Sequence, residues 1–259
     1  MPDKDVMKLA TVVMAAGKGT RMKNPTMAKV MFPVGGEPMI RHVVQRAVDV
    51  GADRIIAIIG YNRESVRRYL GDTFGGRVEF AEQVEQLGTG HAVMQAAPML
   101  RGFDGDLLVL SGDVPLLGAD TIRKLLGHHR ASGAVATVLT VHLDDPAGYG
   151  RIIRNGDGSV ARIVEHKDAD EQERGVNEIN SGIYIFRAPD LLEALGHLRS
   201  DNAQGEYYLT DVFGWFRSEG RPVAAIAGDD PEEVRGINTV EQLTEAGTAF
   251  ARRLDTTAS

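Results

Sequence analysis

Residues 15–29 carry the densest candidate chemistry in the chain. Ala15-Ala16-Gly17-Lys18-Gly19-Thr20-Arg21-Met22 follows directly on the apolar segment Leu9–Met14, with Lys29 downstream. Glycines let backbone N–H groups approach phosphate oxygens closely. A P-loop needs Ser or Thr directly after Gly-Lys, yet Gly19 follows Lys18. A dinucleotide fingerprint needs a third glycine where Met22 stands. It also needs an acidic residue where Gly60 closes the second apolar segment. What remains is a triphosphate loop carrying its own cations, Arg21 and Lys29, or an ordinary glycine-rich turn between strand and helix. Two cations and two glycines at the carboxyl end of a strand favour the phosphate loop, because open α/β sheets bind ligands there.

Asp113 sits at a second such end, after the apolar run Leu107–Leu110. An Asp in that place suits Mg²⁺, which takes one or two protein oxygens and leaves its other positions to water and phosphates. The same residue type also caps turns, here before Pro115. The seven histidines show no metal-ligand spacing. His128 and His129 are adjacent, so they point to different helix faces and are expected to be solvated. Phe213, Trp215 and Phe216 read as helix packing.

Composition narrows the function classes. The chain has 259 residues and no cysteine, which removes disulfides, thiolate zinc and a cysteine nucleophile. The net charge of −7 argues against a nucleic-acid partner. An enzyme for anionic substrates can still be acidic overall, since only the field at its site must be positive. The apolar stretch in MPDKDVMKLATVVMAAG is too short for a signal peptide, and no run approaches membrane-spanning length. A cytoplasmic protein with no membrane partner is expected.

The elements that must position these residues alternate. Leu9–Met14, Arg54–Ile59, Arg77–Ala81 and Leu107–Leu110 read as buried strands. Helical spacing runs from Met39 to Val48, from Glu64 to Leu70 with Gly71 as its stop, from His91 to Ala97, and from Thr121 to Arg130. This alternation predicts an α/β fold with a mostly parallel sheet. The pattern then changes. Val135–Val141 and Ile183–Phe186 read as strands, and Asn155-Gly156-Asp157-Gly158 as a hairpin turn between Arg151–Arg154 and Ser159–Glu165. Asp168–Glu178 is highly charged and reads as a solvated helix or loop. Helices Leu191–Leu198 and Tyr208–Arg217, strand Val223–Ala227 and a terminal helix Glu241–Arg253 complete the chain. One domain over 1–259 is expected: a nucleotide-binding half over about 7–134, a mixed-sheet lobe over about 135–227, and a closing segment over 228–259.

At this point the sequence resembles the sugar-phosphate nucleotidyltransferases. The first loop with Lys29 carries the general signature. Six further segments narrow it: Glu85–Ala92, Gly112–Leu116, Asp144–Ile152, Val164–Ala169, Glu178–Gly182 and Asn202–Asp211. In order from about Leu9 to about Leu254, they look like bacterial uridylyltransferase domains that act on N-acetylglucosamine 1-phosphate. The resemblance implies a Rossmann-like three-layer fold with a sugar-binding lobe. Its substrates would be UTP and a sugar 1-phosphate, and its cofactor Mg²⁺. The expected product, UDP-N-acetylglucosamine, is a cell-wall precursor.

Carried over by position, the resemblance places Ala15, Ala16, Gly17, Gly19 and Arg21 at the nucleotide, chiefly its triphosphate. Lys29 contacts phosphate at the reacting centre, with Arg21 and Lys29 the catalytic pair. Gln83, Gly88 and Thr89 read the base. Asp113 and Asn238 hold the metal, while Gly150, Glu165 and Asn180 hold the amino sugar. One departure stands out: five residues, Lys23–Met27, separate Met22 from Ala28-Lys29, where the family has Pro-Lys four residues beyond Arg-Met. Lys23 is the reserve candidate for the cation. No hexapeptide repeat follows Asn238, so a C-terminal β-helix acetyltransferase domain and its chemistry are not expected. Two alternatives stay open. One is uridylyl or thymidylyl transfer to another sugar 1-phosphate. The other is a non-catalytic nucleotide-sugar sensor on the same fold. The sequence leaves the oligomeric state unknown.

Overall fold

A computed structural model describes residues 7–257, with side chains as far as Arg253. The outermost positions of the expected domain, 1–6 and 258–259, lie outside the described residues. The chain opens with β1 (Leu9–Ala15), the small hairpin β2 (Pro33–Val34) and β3 (Glu37–Pro38), and α1 (Met39–Asp49). Next come β4 (Arg54–Ile59), α2 (Arg63–Phe74), β5 (Val78–Glu82), α3 (Thr89–Ala96), β6 (Asp106–Ser111) and α4 (Ala119–Ser132). The second half holds β7 (Ala136–His142), β8 (Arg151–Arg154), β9 (Val160–Val164), α5 (Glu171–Arg174) and β10 (Glu178–Arg187). It ends with α6 (Ala188–Leu195), α7 (Asp211–Ser218), β11 (Val223–Ala227) and α8 (Val240–Thr257).

Nine strands form one sheet in the order β11-β7-β10-β6-β1-β4-β5, with the β8–β9 hairpin attached to β10. The pairs β6–β1–β4–β5 are parallel, and β10 runs antiparallel to both β6 and β7. Both faces of the central strands are apolar, as parallel strands covered by helices require. Ala10, Val12, Ile56, Ile58, Leu107 and Val109 face α3, α6 and α7. Leu9, Val13, Ile55, Ile59, Leu108 and Leu110 face α1, α2 and α4. A third, smaller core joins Met22, Val34, Met39 and Leu116 to Ile237, Ala246 and Ala249, which docks α8 beside the first loop. This is the expected three-layer α/β architecture.

Three details depart from the sequence reading. Helix α2 continues through Gly71 and stops at Gly75, whose φ is 60°. An interior glycine costs about 1 kcal/mol, and the extra turn brings Phe74 onto the core. His129 is not solvated: it is 2% exposed, and its Nδ1 lies 2.8 Å from Thr137 Oγ1. Its spacing from the buried Ile122 and Leu125 places it on the same inward stripe of α4. Burial pushes the neighbouring Asp106 carboxyl up, but His129 and Arg130 more than offset this and hold it below the usual range. The charged segment after Asp168 yields only the short α5, started by a capping box at Asp170. Glu178 leaves that segment for β10, where Arg154 and Thr140 hold its buried carboxylate at 2.6–2.8 Å.

The aromatic centre of the lobe gives a stability test. Phe213, Phe186 and Tyr184 form a triangle with ring centroids 5.6–5.8 Å apart, and Phe213 is fully buried. Truncating such a ring costs about 3–5 kcal/mol. Phe213→Ala is expected to lose that much in urea unfolding; a loss under about 1 kcal/mol would show that the triangle does not hold the lobe.

Candidate functional site

The site forms where the strand order reverses. After β1 the chain builds β4 and β5 on one side, then crosses to place β6 on the other. Ligands of open α/β sheets bind in the crevice outside such a switch point. Here a cavity of roughly 280 Å³ opens at the carboxyl ends of β1 and β6. Eight residues expected from the sequence line it: Ala15, Ala16, Gly17, Lys29, Gln83, Gly88, Thr89 and Asp113. Arg21, Gly19 and Asn238 join them through contacts at its edge.

Lys29 is the hub. Its ammonium meets the Asp113 carboxylate directly and donates to Asn238 Oδ1 at 3.0 Å. Arg21 donates to the same Asn238 oxygen at 2.9 Å. The Asp113 carboxylate therefore serves this contact, and no turn-capping bond is seen for it among the described residues. The Asp113 carbonyl instead accepts from Ile237 N at 2.9 Å, tying the β6 turn to the segment that leads into α8. Two hard oxygens, one charged and one neutral, thus converge on one point, a donor set suited to a divalent metal ion. Among the described residues no group of three or more His, Asp or Glu is placed to hold a metal alone. An ion at this pair would take its remaining oxygens from water and substrate.

The loop geometry explains why glycine and an added residue are tolerated. A Cβ on Gly19 would lie 2.5 Å from Lys29 Cβ, and Gly19 has φ 61°. Only glycine lets the loop close over the lysine stem. The departure at Lys23–Met27 is absorbed locally. Lys23 takes φ 56°, and Asn24 Oδ1 accepts from Thr26 N and Oγ1 at 3.0 and 2.8 Å. Tyr61 OH and Asn62 Nδ2 then donate to the carbonyls of Pro25 and Thr26. Lys29 reaches Asp113 and Asn238 despite the altered spacing, and Lys23 stays exposed.

Gln83, Gly88 and Thr89, expected at the base, form a separate lock. Gln83 is buried, and its amide nitrogen donates to the Gly88 carbonyl at 3.1 Å. A carbonyl accepts only, so this contact fixes which end of the amide faces it. Gly88 itself has φ 108° and sits so close to Tyr207 that a Cβ would meet its carbonyl at 2.6 Å. Thr89 Oγ1 accepts from Leu209 N at 3.0 Å, pinning the start of α3 to the 202–211 segment. Gln86 and Ser111, for which the sequence suggested no role, also line the cavity, as does Glu206. Gln86 donates to the Ala16 carbonyl at 2.8 Å, and its place in the segment Glu85–Ala92 was the available signal.

Gly150, Glu165 and Asn180 come together as a second group. A Cβ on Gly150 would meet both Asn180 Cβ and Glu165 Oε2 at 3.4 Å. A bulge in β10 between Asn180 and Tyr184, with Gly182 at φ 76°, re-aims Asn180. Asn180 donates to Tyr184 OH at 2.8 Å and accepts from Gly182 N at 3.0 Å. Glu165 accepts from Thr210 Oγ1 at 3.0 Å, while Arg162 pairs with Glu173 instead. Burial, reinforced by Asp211, Asp168 and Glu206, raises the Glu165 carboxyl above its ordinary range. Burial and Asp168 push Asp211 up to about 6. The group joins the main cavity through Gly182, whose carbonyl accepts from Ser111 Oγ, and through Glu206, which lies against Gly88.

Residues 10–231 match the nucleotidyl transferase family. Proteins named bifunctional protein GlmU are 48% identical over 249 residues in a Geobacillus species and 49% identical over 247 residues in Corynebacterium efficiens. Those matches take in 96% and 94% of this chain but 53% and 51% of the relatives, so the chain spans about half their length. Among solved structures, a UDP-glucose pyrophosphorylase complexed with UDP-glucose superposes with a TM-score of 0.77 at 19% identity, covering 95% of this chain and 100% of that one. A putative glucose-1-phosphate thymidylyltransferase from Bacillus anthracis gives 0.75 at 22% identity, covering 93% and 94%. These two show the fold. Among the described residues no helix is long and apolar enough to cross a membrane. With the family pattern running from β1 to beyond β11, this chain belongs to the nucleotidyl transferase family.

Proposed function

We propose that the chain catalyses Mg²⁺-dependent uridylyl transfer from UTP to N-acetylglucosamine 1-phosphate, giving UDP-N-acetylglucosamine and pyrophosphate. The observation that carries this reading is the convergence of Arg21, Lys29, Asp113 and Asn238 at the lip of one cavity. The sugar and base assignments draw support from the segments similar to uridylyltransferase domains, and from the 48–49% identity to the GlmU proteins.

The chemistry needs little covalent help. A phosphate oxygen of the sugar phosphate attacks the α-phosphorus of UTP. The bond from that phosphorus to the β-phosphate oxygen breaks, and pyrophosphate leaves. Both reactants are anions, so the protein must neutralise charge and hold the attack in line. Backbone N–H groups of the Gly17–Gly19 turn and the Arg21 guanidinium take the triphosphate. Lys29, anchored under Gly19, presents its ammonium at the junction of the two substrates. Mg²⁺ held by Asp113 and Asn238 would act as a Lewis acid that neutralises phosphate charge. These are the oxygens Lys29 spans, so the ammonium and the ion serve one pair of ligands. Gln83, with its nitrogen fixed by Gly88, turns its acceptor oxygen to the uracil N3–H. Glu165 accepts from sugar hydroxyls, and Asn180 meets hydroxyl or acetamido groups.

Removing one donor to developing charge costs about 3–4 kcal/mol, roughly a hundred- to thousandfold in rate. Lys29→Ala and Arg21→Ala are each expected to lose that much kcat in a pyrophosphate-release assay with Mg²⁺, UTP and N-acetylglucosamine 1-phosphate. A loss below about tenfold in folded protein would remove the residue from the reacting centre. The raised carboxyl of Glu165 gives a pH test. The charged form is the better acceptor, and a raised value means that charge is lost earlier as pH falls. The KM for the sugar phosphate is therefore expected to climb as pH falls from neutrality towards the ordinary carboxyl range. Glu165→Gln should start with a higher KM and show a shallower climb, leaving the titration of Asp211 and of the substrate phosphate. Identical slopes would contradict a charged Glu165 at the sugar.

A further inference from the structure

We propose that Gln242, on the first turn of α8, is the positioning residue for Asn238. This rests on the reading that Asn238 lends its side-chain oxygen to the metal. Three consecutive backbone N–H groups surround that side chain, and each has an assigned acceptor. Ile237 N donates to the Asp113 carbonyl at 2.9 Å. Asn238 N and Thr239 N both donate to Gln242 Oε1, at 2.7 and 3.2 Å. Gln242 N donates back to Thr239 Oγ1 at 3.2 Å, which completes a reciprocal helix cap. A single amide oxygen thus fixes the peptide planes on both sides of the Asn238 Cα, and so the direction in which its side chain leaves the backbone.

The side chain has little else to orient it. Its nitrogen makes only a long contact, 3.4 Å, to the Gly236 carbonyl. Its oxygen is met by Lys29 and Arg21, both long and flexible cations that follow a displaced partner. Asp113 is in a different position, fixed by the turn at the end of β6 and the closure of Ile237 onto its carbonyl. Of the two oxygens, the one from Asn238 depends on a side-chain clamp. Helix α8 does not need Gln242 to stay docked, because Ala246, Ala249 and Phe250 pack against Val34 and Met39.

An ordinary helix cap and a ligand clamp make different predictions. Thr239 and Gln242 share the cap, but only Gln242 accepts from Asn238 N. Mn²⁺ binding in the presence of UTP, followed by the paramagnetic signal of the free ion, separates them. Partners that orient a metal ligand are worth roughly 10- to 100-fold in affinity. Gln242→Leu is expected to weaken Mn²⁺ binding by about that factor, with metal-free UTP binding unchanged. Gln242→Glu keeps an acceptor oxygen at the same reach and is expected to restore Mn²⁺ affinity. Thr239→Ala should lower the melting midpoint as much as Gln242→Leu yet leave Mn²⁺ binding intact. Asn238→Ala marks the loss of the ligand itself. Near-native Mn²⁺ affinity in Gln242→Leu beside a weakened Asn238→Ala would overturn the proposal and leave the metal reading standing. Equal weakening in Thr239→Ala, or no recovery in Gln242→Glu, would also overturn it. Native affinity in Asn238→Ala would instead defeat the metal reading beneath it.

Discussion

One ammonium group joins three stretches of chain that lie 84 and 209 residues apart. Lys29 Nζ bridges the turn after β6 and the entry to α8 from a loop that begins at β1. Each partner explains a local rule of the structure. Gly19 must lack a side chain because the lysine stem passes beneath it. The small core under α8 is needed because Asn238 arrives from the far end of the sequence. The Asp113 turn follows β6 because β6 is the strand placed beside β1 by the topology. Without the ammonium, two oxygens and a guanidinium would face each other with no common centre.

The charge distribution fits this hub. The chain carries a net charge of −7, yet Arg21 and Lys29 meet at Asn238 beside the loop where phosphates would lie. Glu165, Asp168, Glu206 and Asp211 gather on the opposite side, around the proposed sugar position. A cleft with a cationic end and an acceptor-rich end would orient the proposed sugar phosphate before any contact is complete. The raised Glu165 and Asp211 carboxyls are the cost of burying those acceptors, with repulsion from their acidic neighbours adding to it.

The central sheet and its helices were legible because their signals are periodic. Ile55–Ile59 and Leu107–Leu110 are apolar on both faces, and a strand of that kind has few other places to go. The motif-bearing loops were legible as residue types at strand ends. Their partners were not. That Lys29 closes on Asn238 depends on α8 returning across the β1 loop, which no local pattern encodes. The residue added before Lys29 looked like a threat to its placement, and a left-handed Lys23 with an Asn24 turn absorbs it. His129 was misread from its neighbour, although its spacing from Ile122 and Leu125 already placed it inward. No sequence signal singles out Gln242 within the terminal helix. Its importance lies in two backbone N–H groups whose positions appear only in three dimensions.

The claim that Lys29 and the metal ion serve the same pair of oxygens is tested most directly by Mn²⁺ affinity without nucleotide. In the wild-type protein the ammonium must be displaced; in Lys29→Met it is gone and the stem remains. The account predicts tighter Mn²⁺ binding in Lys29→Met even as turnover collapses. Unchanged or weaker binding would contradict it, since the lysine and the ion would then not compete for Asp113 and Asn238.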